Sequence, residues 1–190
     1  IHAEVSPPEF KRTGGPLEIL QLWVNLPSRL KMTEPRYTGV QADGIPALLI
    51  AEGLGTLNLV SGEHAGQTGP IRSLTGVFMS TVQLAPGARV DLPAPSGRSV
   101  FLYVVSGRVT IDGREVNQWH LATLNDDGDS VTVEASEDTV LLYGHADPIG
   151  EPVVAHGPFV MTTREEIGEA IRDYQAGLFN GTGPLLDVGA

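Results

Sequence analysis

Residues 99–116 read SVFLYVVSGRVTIDGREV, and this stretch decides the fold class. Ser99–Val105 is a run of β-branched, aliphatic and aromatic residues, the composition of a strand. Ser106-Gly107 follows as a turn, Arg108–Ile111 as a second short strand, and Asp112-Gly113 as a two-residue hairpin connection into Arg114-Glu115-Val116. Working outward, the same alternation of short apolar runs and turn residues covers most of the chain. Leu17–Leu26, Ala47–Ala51, Thr56–Val60, Gly76–Leu84, Leu121–Leu124, Ser130–Glu134 and Thr139–Tyr143 read as strands. Pro86-Gly87, Pro95-Ser96-Gly97 and Asp127-Gly128 read as turns between them. Many short strands at a spacing of roughly 8–12 residues predict an all-β sandwich or barrel.

One segment departs from this pattern. Thr163-Arg164-Glu165-Glu166 has the form of a capping box, with a hydroxyl and a carboxylate three residues apart. Ile167, Ala170, Ile171 and Tyr174 follow at helical spacing and should form one buried face. Gly177 is the expected stop. The spacing predicts a helix over 164–176, with residues beyond it as a Gly-rich tail.

Composition bounds the function classes. The 190 residues suit one large domain, or one domain and part of another. A chain of this size hides roughly 70% of its unfolded surface and needs no staples. Cysteine is absent, which excludes a disulfide framework, an iron–sulfur site and a cysteine nucleophile. Lys and Arg number 12 against 23 Asp and Glu, a net charge of −11. Such a surface repels phosphate backbones and anionic bilayers, so neither direct nucleic-acid binding nor membrane association is expected. No apolar run approaches the roughly 18 residues of a membrane helix. The chain opens on Ile1 with no basic-then-apolar leader and reads as if it starts within a larger architecture.

Few residues could carry chemistry. His2 and Glu4 flank one residue, so on a strand both point to the same face. An imidazole and a carboxylate so placed suit a divalent iron-type ion, although two ligands alone do not make a tight site, and a plain surface pair at a frayed terminus is the competing reading. His64, His120, His145 and His156 are scattered and read as solvated or hydrogen-bonded structural residues. Asp126, Asp127 and Asp129 read as a solvated acidic turn, since a calcium loop begun at Asp126 would need glycine where Val131 stands. Phosphate-loop, dinucleotide and nucleophile-elbow motifs are absent. Trp23 and Trp119 read as core or interface aromatics.

Ile1-His2-Ala3-Glu4, Gly14-Gly15-Pro16, Leu22–Pro27, Lys31-Met32 and Pro35-Arg36-Tyr37 stand in an order shared with a known family. So do Gly128–Val131, Glu151–Val154, His156–Met161, Thr163–Ile167 and Asp173-Tyr174-Gln175. Over about residues 1–178 the chain resembles the pirins, a bicupin family. That resemblance implies a cupin barrel (a double-stranded β-helix or jelly roll) with a C-terminal helix, preceded by remnant strands of an N-terminal cupin barrel. It implies residues 1–35 as the end of that first barrel and a linker, 36–150 as a C-terminal barrel without metal, and 151–190 as the closing strand, helix and tail. Against the general cupin pattern begun at Gly87, the two His positions fall on Pro93 and Pro95, the Glu position on Val100 and the closing glycine on Gly107.

The resemblance also implies a function. Pirins carry one divalent metal, usually iron, on three histidines and a glutamate of the N-terminal barrel. His2 and Glu4 match the last two of these; the segment with the first two is not in this sequence, so an N-terminal cupin segment is the expected partner. The implied activity is metal-dependent quercetin 2,3-dioxygenase, with a flavonol as substrate and Glu4 as the group that takes the substrate hydroxyl proton. The alternative is a redox-responsive regulator that binds a protein partner without turnover. A cytoplasmic setting is expected, and the chain by itself is expected to be inactive.

Overall fold

Gly55–Ser61 (β2) and Phe78–Leu84 (β5) each bury every second residue, the period of a strand with one face on a core. The computed structural model describes residues 6–179. These divide into two compact units, Thr38–Pro148 and a second unit built from the chain on either side of it.

In Thr38–Pro148, Ala47–Ile50 (β1), Ser99–Ser106 (β7), Leu121–Thr123 (β10) and Thr139–Ala146 (β12) join β2 and β5 in a six-stranded antiparallel sheet. Its order is β1-β2-β5-β12-β7-β10. Arg89–Pro93 (β6), Arg108–Ile111 (β8), Arg114–Asn117 (β9) and Ser130–Ala135 (β11) form a four-stranded antiparallel sheet in the order β6-β11-β8-β9. Glu63–His64 (β3) and Gln67–Thr68 (β4) make a small hairpin beside them. The inner faces share one core: Leu57, Leu59, Val82, Leu102, Val104 and Leu141 from the larger sheet, and Leu92, Val109, Val131 and Val133 from the smaller. No ladder joins the two sheets, so the jelly roll is a two-layer sandwich and not a closed barrel.

The all-β class with a late helix therefore holds, and Asp112-Gly113 turns β8 into β9 as expected. β6 escaped the sequence reading because its five residues include Asp91 and end on Pro93, a composition tolerated there because β6 is an edge strand. The Ser106-Gly107 turn shows why glycine stands at 107. Its φ is +78°, and a Cβ there would lie 2.4 Å from the carbonyl oxygen of Asp138.

The second unit holds the helix Pro8–Thr13 (α1), the hairpin of Val154–His156 (β13) with Phe159–Met161 (β14), and the helix Arg164–Gln175 (α2). The capping box forms: the Glu166 amide donates to Thr163 Oγ1 at 3.2 Å, and the Thr163 amide donates to Glu166 Oε2 at 2.9 Å. Ile167 is buried, and Ala170 and Ile171 are half-buried. Tyr174 is 63% exposed, against the burial expected from its spacing; its ring meets Phe159 edge-on and lies tilted against Phe179 instead of entering a core.

The strand expected over Leu17–Leu26 is not formed. Residues 14–27 take no regular structure, and Leu17, Ile19, Trp23 and Val24 are at least half exposed. A strand exists only with a ladder partner, and among the described residues none pairs with this segment. The remnant strands of a preceding barrel are thus absent from the described residues. Trp23 and Trp119 lie outside the core, at 52% and 73% exposed.

Candidate functional site

A cupin site is built where facing strands point donor side chains into one end of the sandwich. Here that end is made by β5, β7 and β12, whose register places Phe78 beside His145 and His145 beside Val100. The positions of the general cupin ligands carry Pro93, Pro95 and Val100, none of which has a side-chain donor atom. Val100 is buried in the apolar core. The interior is crossed instead by Tyr143, fully buried on β12, whose hydroxyl donates to the Pro93 carbonyl on the opposite sheet. Burial pushes the Tyr143 phenol well above its ordinary range, only partly offset by the Arg98 charge, so it stays protonated. Phe78 packs 5.3 Å from the Tyr143 ring.

The polar groups gather at the rim. Arg98, held in the loop between β6 and β7, donates through Nη2 to the carbonyls of Gly76 at 2.6 Å and His145 at 3.3 Å. Its Nη1 pairs with Asp147 at 3.0 Å. The His145 imidazole stacks face to face on Phe78, ring centres 4.7 Å apart and planes 2° from parallel. The loop carrying Arg98 is closed by Asp126, which accepts from the Gly97 amide at 2.7 Å, and by Asp129, which accepts from the Ser96 amide at 3.4 Å. Asp126 and Asp129 thus serve as loop clamps, beyond the solvated turn expected of them.

His2 and Glu4 lie outside the described residues. Among the described residues no group of three or more His, Cys, Asp or Glu side chains stands together to hold a metal ion, so these residues do not by themselves fit the iron of the expected activity. His120 bonds through Nδ1 to the Gln118 carbonyl at 2.9 Å, as expected of a structural histidine. His145 departs from that expectation: its Nδ1 is buried with no hydrogen-bond partner among the described residues. Sequence reasoning missed Tyr143, Arg98 and His145 as a group, because Arg98 reaches His145 across 47 residues of sequence and Tyr143 finds its acceptor, Pro93, across 50. Among the described residues no helix is long and apolar enough to cross a membrane.

Comparison with known proteins gives this architecture its relatives. The pirin C-terminal cupin domain model matches residues 79–180. A protein of Pseudomonas aeruginosa provisionally named a quercetin 2,3-dioxygenase is 35% identical over 179 residues, covering 94% of this chain and 63% of its own length. Pirin from Homo sapiens is 37% identical over 182 residues, covering 92% of this chain and 60% of its own. The crystal structure of quercetin 2,3-dioxygenase from Acinetobacter baumannii superposes with a TM-score of 0.81 at 32% identity, over 85% of this chain and 56% of that one. The chain spans about three fifths of the length of the curated relatives it matches.

Proposed function

The chain belongs to the pirin family, and from that membership we propose that it acts, together with an N-terminal cupin segment, as a metal-dependent quercetin 2,3-dioxygenase. The observation that carries this reading is the superposition on the Acinetobacter baumannii quercetin 2,3-dioxygenase at 32% identity, beside the similarly named Pseudomonas aeruginosa relative. The proposed substrate is a flavonol, the proposed metal iron, and the proposed setting cytoplasmic. His2 and Glu4 are proposed as ligands completed by the N-terminal segment, with the Glu4 carboxylate also taking the proton of the flavonol hydroxyl. Residues 1–35 then belong to the first cupin, 36–150 to the second and 151–190 to the closing elements. The sandwich of the second cupin, whose ligand positions are Pro93, Pro95 and Val100, contributes packing and not donors.

The test combines the full chain with a separately made N-terminal cupin segment and ferrous iron. Expected are near-stoichiometric retained iron, oxygen uptake with loss of quercetin absorbance, and loss of both in His2→Ala and Glu4→Ala. Retained iron without oxygen uptake would favour the alternative, a redox-responsive regulator whose net charge of −11 suits a basic protein partner.

A further inference from the structure

We infer that His145 is an acid-operated latch at the rim of the sandwich: neutral, it holds Phe78 and the Gly76 loop closed, and on taking up a proton it releases them. The inference stands on how the imidazole is held. One face lies flat on Phe78, the first residue of β5. Its Nδ1 is buried and unpartnered, and so is the Nε of Arg98. A neutral ring can leave a bare lone pair in that position. A protonated ring would place an N–H there with no acceptor, at the desolvation cost of an unpaired buried charge.

The charges around the ring oppose the proton. Arg98, from the β6–β7 loop, is bound to the His145 carbonyl itself. Among the described residues Asp147, just past β12, is the carboxylate that acts on the ring; it is already paired with Arg98 and its side chain is 70% exposed. Tyr143, on β12 and 6.0 Å from the ring, is protonated and neutral, and His64, from the β3–β4 hairpin, meets the edge of Phe78 at 6.2 Å. Burial first, then Arg98, lower the imidazole pKa from 6.5 to about 4, with Asp147 opposing.

The sign follows from linkage. An imidazole freed into water binds a proton below about pH 6.5, whereas the latched one does so only near 4, so each step down in pH between these values favours the open rim. From pH 7 to pH 5 the opening equilibrium should rise about 20-fold. Arg98 Nη2 bonds both the His145 carbonyl and that of Gly76, so a His145 backbone that shifts when the stack is lost loosens the Gly76 loop with it.

The experiment is proton NMR of the full chain, with the His145 signal assigned by its absence in His145→Phe. Amide hydrogen exchange is measured alongside at Phe78, Met79 and Gly144. Expected are a His145 midpoint near 4 and, between pH 7 and 5, exchange at those amides about 20-fold faster than the intrinsic pH trend. His145→Phe, which keeps a stacked ring, and His145→Gln should both lack that excess. A wild-type midpoint at 6 or above, or an excess that persists in His145→Phe, would overturn the latch.

Discussion

Tyr143 carries a polar atom into a largely apolar core, and its position there is a matter of one bond. Its hydroxyl reaches from the larger sheet to a backbone carbonyl of the smaller one. Tyr143→Phe keeps the ring and abandons the Pro93 carbonyl, so chemical denaturation should show a loss of about 1–3 kcal/mol. Gly107 is a second residue whose identity is dictated by its close neighbours, since a Cβ there would lie 2.4 Å from the Asp138 carbonyl and 2.5 Å from Thr139 Oγ1. Gly107→Ala must clear the Asp138 carbonyl at a positive φ and should cost about 2 kcal/mol or more, measured the same way. The two differ in how openly the sequence declares them. Ser106-Gly107 announces itself as a turn through local chemistry. Tyr143 looks like any strand aromatic until the packing of the larger sheet on the smaller one brings its hydroxyl to Pro93 of β6, a relation 50 residues long. His145 and Arg98 were hidden for the same reason, whereas Pro93, Pro95 and Val100 could be placed against the cupin pattern that the family resemblance supplies.

At the scale of the element, α2 is the part most completely written in local sequence. Its capping box uses residues three apart, and both of its hydrogen bonds form. Thr163→Ala should lower stability by about 1 kcal/mol, read from thermal unfolding of the full chain. Ile167→Ala, at the one buried position of the helix, should cost about 2–4 kcal/mol in denaturant unfolding. Backbone amides of Thr162 and Thr163 bind the Glu166 carboxylate and hold its pKa below the ordinary 4.5. A lowered folded-state pKa means the cap stabilises fully above 4.5 and is lost as pH falls through the folded value. Helical circular dichroism should therefore show an acid step below pH 4.5 that Glu166→Gln lacks. Tyr174 marks what periodicity leaves out. Spacing states which way a helix face points, but not how far the covering hairpin extends, and β13 and β14 have only three residues each.

Across the whole molecule, residues 14–27 contrast with the sandwich. Leu17, Ile19, Leu20 and Leu22 have strand-like composition, but composition does not supply a ladder partner, and all four are exposed. Contiguous exposed apolar surface of this kind drives association. The chain should sediment with concentration-dependent mass, and the triple change Leu17→Ser, Ile19→Ser, Leu20→Ser should shift it toward monomer. Unchanged sedimentation in that variant would place the association elsewhere.

The order of the two sheets has a consequence for how the chain is made. β12 lies between β5 and β7, and β11 lies between β6 and β8, so the middle of each sheet is filled by the last strands of its unit to leave the ribosome. Until Ala146 has emerged, the larger sheet exists only as two separate halves, β1-β2-β5 and β7-β10, each with an open edge facing the gap. A nascent chain halted at Asp138 would carry both edges unpaired, a template for pairing with its neighbours on the same messenger. Folding of this sandwich is therefore a late, nearly all-at-once event of synthesis, and its most hazardous interval is the translation of the eight residues of β12.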